Sequence, residues 1–364
     1  MIYLDHAATT PLGAEAREAM APWLSGRFGN PSSLHAAGRA AREAVERARG
    51  TVAACLGAAR EEVIFTSGGT EADNLALSIP GKLAVSAVEH PAVLEPAKAR
   101  GALILPVDAE GRVDPDSVPS GLALLSVMLV NNEVGTVQPV AKLARKGMLL
   151  HTDAVQAVGK IPVDVRALDV DLLSLSAHKV NGPQGVGALY VRRGVTPIPR
   201  TLGGGQENGL RSGTENVAGI AGFAAALEAA CRGLQKDMAR VGALRDRLQA
   251  GILKELSGVQ ANAGKSARAP HILSVCVEGV DGEAVLMRLA EEGICASSGS
   301  ACATDSNEPS HVLAAMGLPK PLMKGALRFS LGRGTTEAEI DQTIQVLTKV
   351  IDDLRALTPK SAKV

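Results

Sequence analysis

The sequence is poor in aromatic residues, with one Trp, two Tyr and four Phe in 364 positions. So few rings leave no platform for stacking nucleotide bases. Net charge is missing as well, because 38 basic residues balance 38 acidic ones. A neutral chain gives no electrostatic case for a nucleic acid or an anionic membrane as partner. No unbroken apolar run approaches the ~18 residues of a bilayer span. The N-terminal run MIYLDHAATTP lacks the basic and apolar regions of a secretory leader, so a cytoplasmic location is the expectation. Five cysteines do not make a disulfide framework. Cys55 and Cys231 fall in Ala-rich helical patterns and Cys276 in the alternating run HILSVCVEGV. These three read as small core residues. Cys295 and Cys302 have no nearby His or Cys at zinc spacing, so no intrinsic metal site is expected.

Apolar residues, by contrast, make up 46% of the chain, enough for one large domain with a smaller companion. Between about residues 50 and 200, short apolar runs alternate with helical patterns. EEVIFTSGG, KLAVSAVEH, ALILPVD, LALLSVMLVNNE, MLLHTD, DLLSLSAHK and GALYVRR read as strands. Several are nearly continuous in apolar residues, the mark of parallel strands covered on both faces. Segments between them, such as TEADNLALS and PVAKLARKG, read as helical. Strands alternating with helices predict an α/β fold. From Glu215 to Ser257 the apolar spacing becomes three and four, giving one long helix or two, since Gly233 and Gly242 interrupt it. HILSVCVEGV, DGEAVLMRLAEEG and GALRFSLG then read as strand, helix and strand. A final helix begins at a capping box formed by Thr336 and Glu339. The change of rhythm near 215–260 sets the expected division: a large domain over 15–235, and a small one from 1–14 and 236–364. The last run, TPKSAKV, reads as a frayed tail.

In open α/β sheets, ligands bind beyond the carboxyl ends of the strands. After EEVIF comes a glycine turn, Gly68-Gly69-Thr70, that opens a helix and suits an anion. Beyond other strand ends lie Glu89-His90, Asn131-Asn132-Glu133, Asp153 with Gln156, and Ser176-Ala177-His178-Lys179. Each has an ordinary structural reading: a turn glycine, a satisfied histidine, a snorkelling surface lysine. Together they are the set that pyridoxal phosphate needs. A desolvated lysine forms the Schiff base, a carboxylate holds the pyridine nitrogen protonated, and a helix N-terminus takes the phosphate. The run TLGGGQENG follows the Pro-rich VTPIPR rather than a strand, so it is not a dinucleotide fingerprint. Cys302 lies in SSGSACATDSNEPSH, which has neither helical nor strand period. A thiol among small polar residues there is unlike a core cysteine.

LDHAATTP, FTSGGTEADNLAL, EHPAVLEP, NNEVGTVQP, HTDAVQAVGK, SAHKVNGPQGVGALYVRRG, GGGQENGLRSGTENV, SSGSAC and RFSLGR occur in this order along nearly the whole chain. In them the sequence resembles the cysteine desulfurases of the NifS/IscS type, fold-type I pyridoxal phosphate enzymes of the class V aminotransferase superfamily. The resemblance implies a large domain with a mostly parallel seven-stranded sheet flanked by helices, and a smaller α+β domain. It implies that Lys179 carries the cofactor, Asp153 pairs with the pyridinium nitrogen and Gln156 bonds the phenolic oxygen. His90 would stack on the ring and help proton transfer. Gly69, Thr70, Ser176 and His178 would hold the phosphate, and Thr214 would reach the phosphate of a neighbouring subunit in a homodimer. Asn132, beside the cofactor, and Arg328 would hold the L-cysteine substrate, Arg328 by its carboxylate. Cys302 would be the nucleophile that takes the sulfur as a persulfide and passes it to an iron–sulfur scaffold or other acceptor protein. With a scaffold it could also ligate a cluster transiently. Its thiolate would be favoured by His90 in its charged form or by the substrate-bound cofactor.

Some stretches depart from the family pattern. Ala76 to Ala84, Val140 to Leu150, and the segment near Pro119-Ser120-Gly121 are short. Ala177, Asn181 and Gln184 differ from frequent choices. The long segment after Cys302 matches the NifS/IscS group. A selenocysteine lyase or a class V transaminase is the enzymatic alternative, although a transaminase has no need of Cys302. A silent scaffold of the same fold would not have kept both Lys179 and Cys302.

Overall fold

A computed structural model describes residues 1–298 and 310–357. Cys302, most of the run around it and the tail TPKSAKV lie outside the described residues. The elements in chain order are β1 (Ile2–Tyr3), α1 (Ala14–Ser25), α2 (Ala36–Leu56), β2 (Val63–Thr66), α3 (Gly69–Ala76), β3 (Leu83–Ser86), α4 (Pro91–Ala99) and β4 (Leu103–Leu105). Then come β5 (Leu124–Ser126), β6 (Leu149–Asp153), β7 (Leu172–Ser176), β8 (Gly187–Val191) and the long helix α5 (Val217–Glu255). The rest is β9 (Val259–Ala261), β10 (Ile272–Val277), α6 (Gly282–Glu291), β11 (Ile294–Cys295), α7 (His311–Ala315), α8 (Lys320–Met323), β12 (Ala326–Ser330) and α9 (Glu337–Leu357).

The seven apolar runs form one seven-stranded sheet in the order β2-β8-β7-β6-β5-β3-β4. Strands β7, β6, β5, β3 and β4 are parallel, and β8 runs antiparallel to both β2 and β7. Helices cover both faces. One core unites Val63, Phe65, Leu125, Leu173 and Leu175 with Val52 and Leu56 of α2 and Phe223 and Leu227 of α5. The opposite face packs Ile64, Val85, Leu124 and Leu189 against Leu75 of α3 and Val93 of α4. Burial on both faces explains why the strands other than the edge strand β4 are apolar at successive positions rather than alternating.

The second half of the chain builds another core around the antiparallel sheet β12-β10-β9. Leu273, Val275, Leu327 and Phe329 meet Leu289 of α6, Ile340, Leu347 and Ile351 of α9, and Val241, Leu244, Leu248 and Ile252 of α5. The N-terminal residues Ile2 and Leu4 join this core, and β1 pairs in parallel with β11. Helix α5 is therefore a single 39-residue rod with one end in each core. Gly233 and Gly242 do not break it. Each costs about 1 kcal/mol against Ala, less than the burial of the apolar residues on either side. Among the described helices, α5 alone is long and apolar enough by composition to cross a membrane. Its apolar residues instead fill these two cores.

Two local expectations fare differently. The capping box is formed: Glu339 Oε2 accepts from the Thr336 backbone N–H at 2.8 Å, and Thr336 Oγ1 accepts from Glu339 N–H at 3.3 Å. PVAKLARKG is not an α-helix. It makes one 3₁₀ turn, Val140–Lys142, and then turns back at Gly147, whose φ is +84°. Only Val140 and Leu143 are buried in it, too few contacts to offset helix nucleation in so short a segment. Cys276 is buried in β10, while Cys55 and Cys231 are half-buried where α2 packs on α5.

Candidate active site

The parallel strands end at one rim, and the polar residues collect there. Lys179 follows β7 through the 3₁₀ turn Ala177–Lys179. Its Nζ donates to the carbonyl oxygens of Ala7 and Ala8 at 2.6 and 2.7 Å. Asp153 ends the neighbouring strand β6, fully buried, and accepts one hydrogen bond from the Val155 N–H at 2.9 Å. Burial raises its pKa to about 6, with Val155 N–H and Lys179 opposing. Gln156 donates to the Ala7 carbonyl at 2.8 Å and meets His271 at 3.3 Å.

His90 caps α4, its Nδ1 accepting from the Ala92 N–H at 3.1 Å. Burial, then Lys179 and His311, push its imidazole down to about 4. That shift favours the neutral ring over the charged His90 that would partner a thiolate. His178 bonds the Thr9 hydroxyl at 3.0 Å and is likewise pushed down to about 4, first by burial and then by Lys179 and Lys160. Ser176 is buried at the end of β7. Gly69 and Thr70 open α3. Thr214 lies exposed just before α5.

Arg328, on β12 of the second sheet, reaches the same rim. Its Nη1 donates to the Asn132 carbonyl at 3.0 Å and its Nη2 to Asp5 at 2.8 Å. Arg328 Nε and Asn132 Oδ1 are both buried without a hydrogen-bond partner among the described residues. Such orphaned groups are costly unless a ligand satisfies them. Ser297, beside the segment that carries Cys302, exchanges backbone hydrogen bonds with Arg328.

Several of the site's polar residues gave no signal as isolated letters. Asp5 was visible only inside LDHAATTP, and Lys160 only as the last letter of HTDAVQAVGK. Behind the rim runs a buried polar chain. His151 joins Ser126 at 2.8 Å and Ser174 at 3.0 Å, with Asp73 of α3 at 3.7 Å. Burial pushes this histidine down to about 3. Glu89 accepts from Ser86 Oγ and the Met128 N–H, and burial pushes its carboxyl up to about 8.

The residues present fit a phosphorylated pyridine. A Cβ at Gly69 would sit 3.0 Å from Val155 and 3.6 Å from Ser176, and one at Gly187 would collide with the Gly68 backbone at 2.8 Å. The helix N-terminus is thus held bare and close to Ser176, as an anion cradle requires. Asp153 has no cationic partner within salt-bridge distance among the described residues, so it can receive a protonated ring nitrogen, with Lys179 close enough to lower its pKa. A lysine, an acid and a glycine-cradled helix at the ends of adjoining strands define the α/β enzymes that work through pyridoxal phosphate.

The comparisons narrow that class. The sequence pattern of the aminotransferase class-V family matches residues 2–343, and the chain belongs to that family. It is 47% identical to the cysteine desulfurase IscS of Dictyoglomus turgidum, over 98% of this chain and 96% of that relative. It is 46% identical to a cysteine desulfurase of Cereibacter sphaeroides, over the full chain and 98% of the relative. A solved NifS-like protein superposes with a TM-score of 0.90 at 36% identity, covering 97% of this chain and all of that one. SspA, solved in complex with cysteine, does so with a TM-score of 0.80 at 33% identity, covering 92% and 100%.

Proposed function

We propose that this protein is a cysteine desulfurase that binds pyridoxal phosphate, converts L-cysteine to L-alanine and holds the released sulfur as a persulfide on Cys302. The observation that carries the reading is the rim itself: Lys179 and Asp153 follow adjacent parallel strands, and the unsatisfied Arg328 Nε and Asn132 Oδ1 occur in the two residues assigned to the substrate. Lys179 would hold the cofactor, Asp153 its ring nitrogen, Gln156 its phenolic oxygen, His90 and Asn132 its ring surroundings, and Gly69, Thr70, Ser176 and His178 its phosphate. Once bound, the group supplies an electron sink for charge developing at the substrate Cα.

The Arg328 guanidinium takes the substrate carboxylate and is itself held by Asp5. Lys179 Nζ, as the free amine, removes the proton from the substrate Cα and can return it. His90, neutral, can hand on a proton. The Cys302 thiolate attacks the substrate sulfur: an S–S bond forms, the C–S bond breaks with its electron pair left on carbon, and that carbon is protonated to give alanine. Sulfur then passes to an acceptor protein.

A homodimer completes the site, with Thr214 of one subunit serving the other's phosphate. Phe28, Leu34 and Leu202, apolar and each more than 80% exposed, support a surface that a second subunit covers. The division at 15–235 against 1–14 and 236–364 accords with the handover between cores along α5. We place the protein in the cytoplasm.

The test is incubation of the purified, cofactor-loaded protein with L-cysteine, followed by product analysis and intact-mass measurement. Alanine and one extra sulfur on the peptide bearing Cys302 are expected. Pyruvate in place of alanine, or sulfur located on Cys295, overturns the assignment.

A further inference from the structure

Lys160 closes the run HTDAVQAVGK and takes no part in the chemistry above. Its side chain is buried, and its Nζ donates to the Lys179 backbone carbonyl at 2.9 Å. It makes no ion pair among the described residues. A buried ammonium without a carboxylate is costly, so packing alone would favour Met or Leu there. The two lysines line one small cavity of about 30 Å³, room for one or two waters.

The groups around Lys160 are basic on every side. His6 approaches from the N-terminal segment, His178 and Lys179 from the turn after β7, and His271 from the start of β10. Arg333, after β12, lines the same cavity. The carboxylates stand one step further off, Asp5 and Glu339 near His6 and Asp153 near Lys179. Burial and the charge of Lys179 push Lys160 down to about 7. Burial first, then Lys160, pushes His6 down to about 4 and His271 well below its usual range. Four chain segments thus bring basic groups together in a place that resists every added proton.

We propose that Lys160 is a positioning residue for Lys179: it fixes the Lys179 carbonyl, and it competes with the Lys179 side chain for one proton, which biases that side chain toward the neutral amine. An amine must be neutral to attack a carbonyl or accept a proton, and a buried cation next to a lysine favours that form. The inference rests on the role proposed for Lys179, but its test does not need the reaction.

In the apoprotein, Lys179 is methylated with formaldehyde and a borohydride across a pH series and followed by peptide mass spectrometry, since only the neutral amine reacts. Lys160→Met should raise the pH midpoint of Lys179 labelling by about one unit, roughly a tenfold loss of reactivity at pH 7. Lys160→Arg, which keeps the charge, should leave the midpoint at or below its original value and will be read if the Met variant does not fold. In cofactor-loaded protein, the pH midpoint of the visible absorbance should move the same way. A Met variant that melts at lower temperature but keeps the midpoint would reduce Lys160 to a packing residue and overturn the proposal, as would a midpoint that rises in the Arg variant. A Lys179→Ala protein with normal turnover would instead remove the functional reading while leaving the coupling of the two amines measurable.

Discussion

The two sheets of this molecule bury very different things. The three strands β9, β10 and β12 present Leu273, Val275, Leu327 and Phe329 to an apolar core, and Arg328 of β12 reaches the site. The seven-stranded sheet, by contrast, buries Glu89, His151 and Asp153 close to Asp73 of α3, and Lys160 beside Lys179. Apolar burial stabilises by about 25 cal/mol per Å², whereas each buried ionisable group costs free energy unless it is partnered or neutral. The apolar cores of both sheets therefore hold the fold together, and the rim of the large one draws on that stability to keep ionisable groups buried beside a ligand site.

Substitutions can break this contrast, and they rank by size. Lys179→Ala should lower turnover by at least about 10⁴-fold, while the melting temperature of the apoprotein holds or rises, since a half-buried amine among basic neighbours is lost. A falling melting temperature would mean that the rim also carries stability. Next, Leu273→Ala on β10, opposite Phe329, should destabilise by about 2–5 kcal/mol in denaturant unfolding and leave the midpoint of Lys179 labelling unmoved. A shifted midpoint would show that the two regions are coupled.

The smallest effect concerns pH. Glu89 is raised in the folded protein to about 8, so between its unfolded value near 4.5 and about 8 the folded state holds a proton that the unfolded state does not. Its contribution is full below about 4.5 and is lost as pH rises through 8, with a slope of about 1.4 kcal/mol per unit. Glu89→Gln should remove that slope from urea titrations of the apoprotein while changing stability little at pH 5. An unchanged slope would place the proton elsewhere, for instance on Asp73, which burial also raises.

Much of this was legible in advance. All seven strands of the large sheet were readable from apolar runs, six of them because strands buried on both faces need apolar residues at successive positions; the edge strand β4 is apolar although Leu103 and Ile104 are exposed. The capping box at Thr336 was readable because it depends on letters three apart. The helical reading of PVAKLARKG failed because a local pattern cannot tell whether the tertiary structure will supply a surface to hold a single turn. Gly233 and Gly242 misled in the opposite direction, since two cores hold α5 straight across them.

By itself, the sequence determined the strand periods and the identity of the residues at the strand ends, and its ordered motifs pointed to the family. Those properties are set by side-chain period and chemistry within a few neighbouring positions. Only the tertiary structure decided that Asp5 would hold Arg328, although they are 323 positions apart, and that Lys160 would lie against Lys179. It also pushes the His90 imidazole down to about 4 and the Glu89 carboxyl up to about 8. Protonation depends on how much water is excluded and which charges come near, and remote segments of the chain assemble both.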